Sequence, residues 1–309
     1  MSDNFLAILA IIITSILWAS AGVVGKILLR ELNPLEISLL RSAIASVIMI
    51  PFVIKQKSVP FRKILTDILP ITLLIVVNVI FYYIGLQWTT VNASAVIYAA
   101  TPLIVAFLSS FVIKEHITTR KVLGIFIGFF GVLGIIILPA LGRGDIGFGT
   151  PKGNLIHLFT VLNWSLYIIG SRYLTTKKHY PPVTVTAISI FASTGVLAII
   201  NLFIPHLGII DIIIRPDMIL YLLYLGIFLT VITQSLFLWA VQYVSSTTAS
   251  LTNYLQPVFA FFFAWMFLGE RMTASFIFGS LLVLLGVGIM TSETVGAHVR
   301  KARSIRTNE

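Results

Sequence analysis

Residues 101–131 read TPLIVAFLSSFVIKEHITTRKVLGIFIGFFG, and residues 256–286 read QPVFAFFFAWMFLGERMTASFIFGSLLVLLG. Each stretch holds a proline, a glutamate and two glycines at one spacing. They are Pro102, Glu115, Gly124 and Gly131 in the first and Pro257, Glu270, Gly279 and Gly286 in the second, every member displaced by 155 residues. Both cross the same terrain: a long apolar run, a short polar turn and a second long apolar run. A duplicated membrane unit accounts for this, and many transporters are built from such internal repeats.

Composition supports the membrane reading. Of 309 residues, 58% are hydrophobic and only 10% charged, and the mean hydropathy is +1.03. A soluble domain carries about 25% charged residues. A helix needs ~20 apolar residues to cross the hydrocarbon core. Ten runs of that order occur, at 5–28, 37–54, 68–88, 93–113, 122–140, 154–174, 184–204, 219–241, 248–268 and 273–291. They are twice the ~10 residues of a tilted barrel strand and are apolar all round. The expected fold is all-α and integral to the membrane, with ten transmembrane helices. Ala19-Ser20-Ala21, near the end of the first run, has the small residues of a signal cleavage site. A signal peptide also needs a basic n-region, and the only charge before this run is Asp3, so it reads as a retained span. The chain has no cysteine, which excludes disulfides, thiolate metal sites and cysteine nucleophiles.

The net charge of +10 is distributed by side. With the N-terminus placed inside, the inner segments carry Lys55, Lys57, Arg62 and Lys63; Lys114, Arg120 and Lys121; Lys177 and Lys178; and Arg300, Lys301, Arg303 and Arg306. The outer loops carry Arg30, Arg143, Lys152, Arg215 and Arg271. Thirteen cations against five satisfy the positive-inside rule, with both termini cytoplasmic in a cell membrane. Ten spans divide into five and five, and an odd number per half turns the second half over. The charges agree: the Glu115 loop is basic and inside, whereas its counterpart at Glu270 carries only Arg271 and is outside. The expected organisation is two inverted five-helix repeats, 1–140 and 154–291. An external glycine-rich linker, 141–153, joins them, and a basic cytoplasmic tail, 292–309, follows. The tail's cations suit anionic lipid, not nucleic acid.

The repeat extends further. Gln87 matches Gln242 at the same displacement, and at a displacement of 146 Trp18 matches Trp164 and Lys26 matches Arg172. The run from Gln256-Pro257 through Leu268-Gly269-Glu270-Arg271 to Gly279 and Gly286 resembles the EamA branch of the drug/metabolite transporter superfamily. So does the run from Thr101-Pro102 through Lys114-Glu115 to Gly131, with lysine where that family often has glycine. Trp18, Ser20 and Gly22 are similar to its opening helix. The resemblance covers essentially the whole chain. It implies two inverted repeats around a central cavity that moves metabolites by alternating access.

Pro102 and Pro257 fall near the centres of their spans and are expected to break them. Proline donates no N–H and crowds the carbonyl four residues earlier, here those of Tyr98 and Asn253. Such carbonyls must face protein or a wet cavity. Polar and aromatic residues share helix faces by their i, i+3 and i, i+4 spacing: Thr14 with Trp18, Asn78 with Tyr82, Thr160 with Trp164 and Tyr167 beside Asn163, and Thr230 with Gln234. Each also suits an interhelical hydrogen bond, typically ~0.6 kcal/mol. Together they nominate Trp18, Asn78, Tyr82, Tyr98, Trp164, Tyr167 and Asn253 as substrate-binding. Of the full charges in spans, Lys26 and Arg172 lie near helix ends and suit snorkelling. Arg41 would pair with Glu36 or Glu31; alternatively, these three cations would hold an anionic solute. Glu115 and Glu270 are expected to cap the following helices, with gating as the alternative. Glycines 124, 128, 131 and 134 suit close packing, within the fold or in a homodimer.

No acid falls well inside a span. His157, one turn into the sixth span, is the one histidine within a span, and is expected to be wetted at the interface. There is no phosphate-cradling glycine loop after a strand, and no metal constellation, so no cofactor is expected. These features predict a secondary transporter, not an enzyme. Its partners would be a small-molecule substrate and the lipid bilayer. Amino acids or related amphipathic solutes are the first expectation, with drug efflux or sugar-phosphate and nucleotide-sugar exchange as alternatives.

Overall fold

The computed structural model describes residues 3–54, 59–142, 150–203, 215–268, 274, 277–290 and 292. Glu270, most of the linker and nearly all of the basic tail lie outside them. Every regular element among the described residues is helical. Among the described residues, five apolar helical stretches are long enough to cross a membrane: Asp3–Leu28, Pro34–Ile54, Phe61–Trp88, Pro182–Asn201 and Pro216–Tyr243. Thr101–Val112 and Ile277–Met290 are shorter apolar helices.

In chain order the elements begin with α1 (Asp3–Trp18), α2 (Ala21–Leu28), α3 (Pro34–Ile54) and α4 (Phe61–Lys63). A π-helical turn, Ile64–Ile68, leads into α5 (Leu69–Trp88), followed by α6 (Val91–Tyr98), α7 (Thr101–Val112), α8 (Thr119–Gly142), α9 (Pro151–Thr176) and α10 (Pro182–Asn201). Next come α11 (Pro216–Gly226), a second π-helical stretch at Ile227–Ile232, α12 (Thr233–Tyr243), α13 (Ser246–Ala249) and α14 (Thr252–Leu268). The last described helix, α15, is Ile277–Met290. Helix α8 runs to Gly142 and α9 starts at Pro151.

Helix starts follow local chemistry. Asn33 Oδ1 accepts from the N–H groups of Leu35 and Glu36, while Glu36 Oε2 accepts from Asn33 N at 3.0 Å. This is a capping box, and it occupies the carboxylate expected to pair with Arg41. At the start of α9, Thr150 Oγ1 accepts from Gly153 N at 3.1 Å and donates to the Trp88 carbonyl at 2.7 Å. That ties α9 to the end of α5.

Three apolar runs that read as single spans are interrupted. Between α1 and α2, Ser20 Oγ donates to the Leu17 carbonyl and meets Tyr224 Oη at 2.9 Å, a side-chain contact that competes with the helix ladder. Thus Ala19-Ser20-Ala21 marks a helix break. The α6/α7 break falls at 99–100, and Pro102 sits in the first turn of α7, where its missing N–H costs nothing. The α13/α14 break falls at 250–251, earlier than expected. Pro257 lies inside α14, which continues through it. The proline-centred break therefore describes the first half and not the second, where Ser245 caps α13 and Ser250 Oγ turns back to the Thr247 carbonyl.

Packing crosses between the halves. Helix α9 packs on α5, α6, α7 and α12, and α1 packs on α12 and α14. Helices α3 and α10 pair with each other. Helices α8 and α15 meet backbone to backbone. A Cβ on Gly124 would lie 2.7 Å from the Gly286 carbonyl oxygen, and one on Gly131 2.8 Å from that of Gly279. The first glycine stripe is thus taken up by packing within the chain.

Candidate functional site

The break between α1 and α2, the π-helical stretch, the middle turns of α5 and α9 and the first turns of α14 converge on a cavity of ≈ 170 Å³. One water needs about 10–15 Å³ of such space, so the cavity has room for a solute of on the order of ten heavy atoms. Its wall includes Trp18, Asn78, Tyr82, Tyr98, Trp164, Tyr167 and Asn253, drawn from both halves of the chain. Pro257 also lines it, whereas Pro102 is buried off the wall.

The aromatic groups are in mutual contact. Trp18 and Trp164, matched positions in the repeat, meet edge to face with centroids 5.1 Å apart. Phe237 lies 5.6 Å from Trp18 and 5.4 Å from Trp164, and Tyr167 stacks on Trp164 at 5.4 Å. Tyr82 and Tyr98 meet at 5.9 Å, each also against the ring of His157. Edge-to-face and offset pairs suit the ring quadrupoles and hold these side chains in place.

The polar groups are largely anchored. Asn78 donates to the Thr160 carbonyl at 2.8 Å and to Tyr98 Oη at 3.4 Å. Gln234 donates to Tyr167 Oη at 2.9 Å. Asn253 donates to the Ser250 carbonyl, so its amide secures the α13/α14 break. The buried indole N–H of Trp164 has no partner among the described residues. His157 is fully buried, with Nδ1 3.4 Å from Ser94 Oγ. That corrects the wetted histidine read from the sequence. Gly85 permits it: a Cβ there would meet the imidazole at 2.8 Å.

Arg41 does not pair with Glu36 or Glu31. Glu31 meets Arg215 at 3.2 Å. Arg41 lines the cavity and donates to Thr230 Oγ1, the Leu229 carbonyl and Tyr83 Oη at 2.9–3.1 Å. Thr230 in turn donates to the Leu225 carbonyl five residues back.

A second cluster lies beyond the cavity. Arg172 follows Tyr167 on α9 by five residues, about 8 Å along the axis. Its guanidinium donates to the Val241 and Val244 carbonyls and lies 4.0 Å from Glu115. Glu115 accepts from Ser246 N at 3.1 Å and approaches Lys121 at 3.9 Å. Glu115 therefore caps α13, in the other half of the chain, and not the helix that follows it. Arg172 is bound into this cluster and does not snorkel.

The nominated aromatic residues were legible through repeat position and face-sharing. Arg41 lies inside a span, where a full charge marks a functional position by default, and an anionic solute was one of the two partners the sequence offered it. Phe237 carried no signal, since a cavity phenylalanine and a lipid-facing one look alike in an apolar run.

Comparison with known proteins agrees with this architecture. A solved crystal structure superposes with a TM-score of 0.74 at 17% identity, over 94% of this chain and 98% of that one. YdfC of Bacillus subtilis (strain 168), an uncharacterized transporter, is 29% identical, the match covering 88% of this chain and 86% of YdfC. An S-adenosylmethionine/S-adenosylhomocysteine transporter of Chlamydia muridarum is 26% identical, covering 93% and 92% respectively. The model of the EamA-like transporter family matches residues 5–137 and again 151–292. The chain is a multi-pass membrane protein that belongs to the EamA-like transporter family.

Proposed function

We propose that the protein is a secondary transporter of small amphipathic metabolites. It would carry them as an exporter or exchanger by alternating access around the cavity at Trp18 and Trp164. The observation that carries this reading is the cavity itself: an aromatic and amide lining drawn from both halves, set where helices are broken. Substrate sites of repeat-built transporters lie at such places. In this reading ten spans form two inverted five-helix repeats, 1–140 and 154–291, with both termini cytoplasmic in the cell membrane. Three features support it: the charge bias, the two separate family matches and an exchange of packing partners. The first helix of each half packs on the third and fourth spans of the other, α9 on α5 to α7 and α1 on α12 and α14. A two-fold relation between the halves produces that exchange.

Trp18, Asn78, Tyr82, Tyr98, Trp164, Tyr167 and Asn253 would contact the solute. Glu115, with Arg172 and Lys121, would hold one face closed; Glu270 is its counterpart by repeat position. Amino acids and their derivatives are the first solute class, and the Chlamydia relative's named solutes, an amphipathic amino-acid derivative pair, fall within it. The test is flux into liposomes reconstituted with purified protein across a metabolite panel, with and without a pH gradient. Saturable uptake of at least one panel member, accelerated by the same solute on the far side, is expected. Its absence for every member would overturn the proposal.

A further inference from the structure

Among the described residues, the cavity wall carries one full charge, Arg41, and no carboxylate. A guanidinium has five N–H donors. The hydrogen bonds of Arg41 engage Nε, one hydrogen of Nη1 and both of Nη2. Every acceptor is neutral: a threonine hydroxyl, a tyrosine hydroxyl and a peptide carbonyl. Arg41 makes no ion pair among the described residues, and one Nη1 hydrogen is left over. This cradle is built, not incidental. The π-helical stretch Ile227–Ile232 presents the Leu229 carbonyl and the Thr230 hydroxyl to the guanidinium. Such π-helical insertions are rare and recur at functional sites.

An arginine held in place by neutral groups inside a membrane protein keeps its charge uncompensated, and charges there mark substrate pathways. Resting on the transport reading, we infer that the solute is an organic acid. Its carboxylate sits on Arg41 and its flat apolar body among Trp18, Trp164 and Phe237. Guanidinium and carboxylate form charge-assisted hydrogen bonds, stronger than neutral ones. Aromatic walls alone would also accept a cation over their faces, but the fixed positive charge of Arg41 disfavours one in this cavity.

Phenylacetate, its neutral isostere phenylacetamide and the cation phenethylamine separate these cases, since they share a ring and differ in charge. Binding is read from thermal stabilisation, which follows RT ln(1 + [L]/Kd). The wild-type protein is expected to bind phenylacetate at least tenfold more tightly than phenylacetamide, with phenethylamine weakest. In Arg41→Gln that ratio should collapse to about one, and Arg41→Lys, which keeps the charge, should recover part of it. Equal binding of acid and amide by the wild type, or tightest binding of the amine, overturns the inference without any variant being needed. An unchanged ratio in Arg41→Gln also overturns it. The transport reading is judged separately by the liposome panel: flux without acid preference sinks the anion site alone, and acid preference without flux sinks transport alone.

Discussion

Trp164 shows how a single side chain joins packing to recognition. It touches Trp18, Tyr167 and Phe237, and each aromatic pair contributes about 0.5–1.5 kcal/mol beyond its buried area. Its unpartnered N–H costs roughly 1–3 kcal/mol of desolvation, so the fold gains nothing from the indole nitrogen. Trp164→Phe should therefore leave the melting temperature of the detergent-solubilised protein unchanged or raised. Trp164→Ala should weaken solute binding by at least about tenfold, equivalent to 1.4 kcal/mol, in the same thermal-shift titration. Unaltered affinity in Trp164→Ala would remove this residue from the site. Sequence alone exposed Trp18 and Trp164 because the duplication put them in register. Arg41 was harder, because its partners Leu229 and Thr230 are 188 and 189 residues away. They reach it only through a π-helical turn, which leaves no mark on hydropathy.

Among the elements, the helical runs were legible and their interruptions were not. Apolar length is a property of the whole run, whereas the breaks at 19–20 and 250–251 arise where serine hydroxyls bond backbone carbonyls inside it. Proline was the visible signal and proved right in position for α7 and wrong for α14. The glycines of α8 and α15 make a contrast that tests the packing directly. A Cβ on Gly286 would meet the Gly124 carbonyl oxygen at 2.6 Å and Gly128 N at 2.7 Å, while one on Gly288 meets nothing within 4 Å. Backbone cannot rotate away as a side chain can, so overpacking of about 1–3 kcal/mol is expected for Gly286→Ala. In a thermal melt Gly286→Ala should unfold several degrees lower, and Gly288→Ala should match the parent. Equal melting of the two would mean that α8 and α15 do not pack as described.

At the scale of the molecule, the proposal of inverted halves could be read from charge, because insertion responds to basic residues near each span. The interleaving of the halves could not, since it depends on which apolar faces meet, and lipid-facing and buried faces are both apolar here. Helices α13 and α9 are tied together beyond the cavity by Glu115 and Arg172, so that cluster should govern access from its face. The chain has no native cysteine, which leaves a single introduced thiol as a clean reporter. Ser193 lines the cavity, and Ser193→Cys places the thiol there. A membrane-impermeant maleimide applied to right-side-out and inside-out vesicles is the most direct measurement. Alternating access predicts labelling from both sides, slowed on both by a transported solute, with Glu115→Gln raising the rate from the Glu115 face. Labelling confined to one side under every solute condition would contradict it.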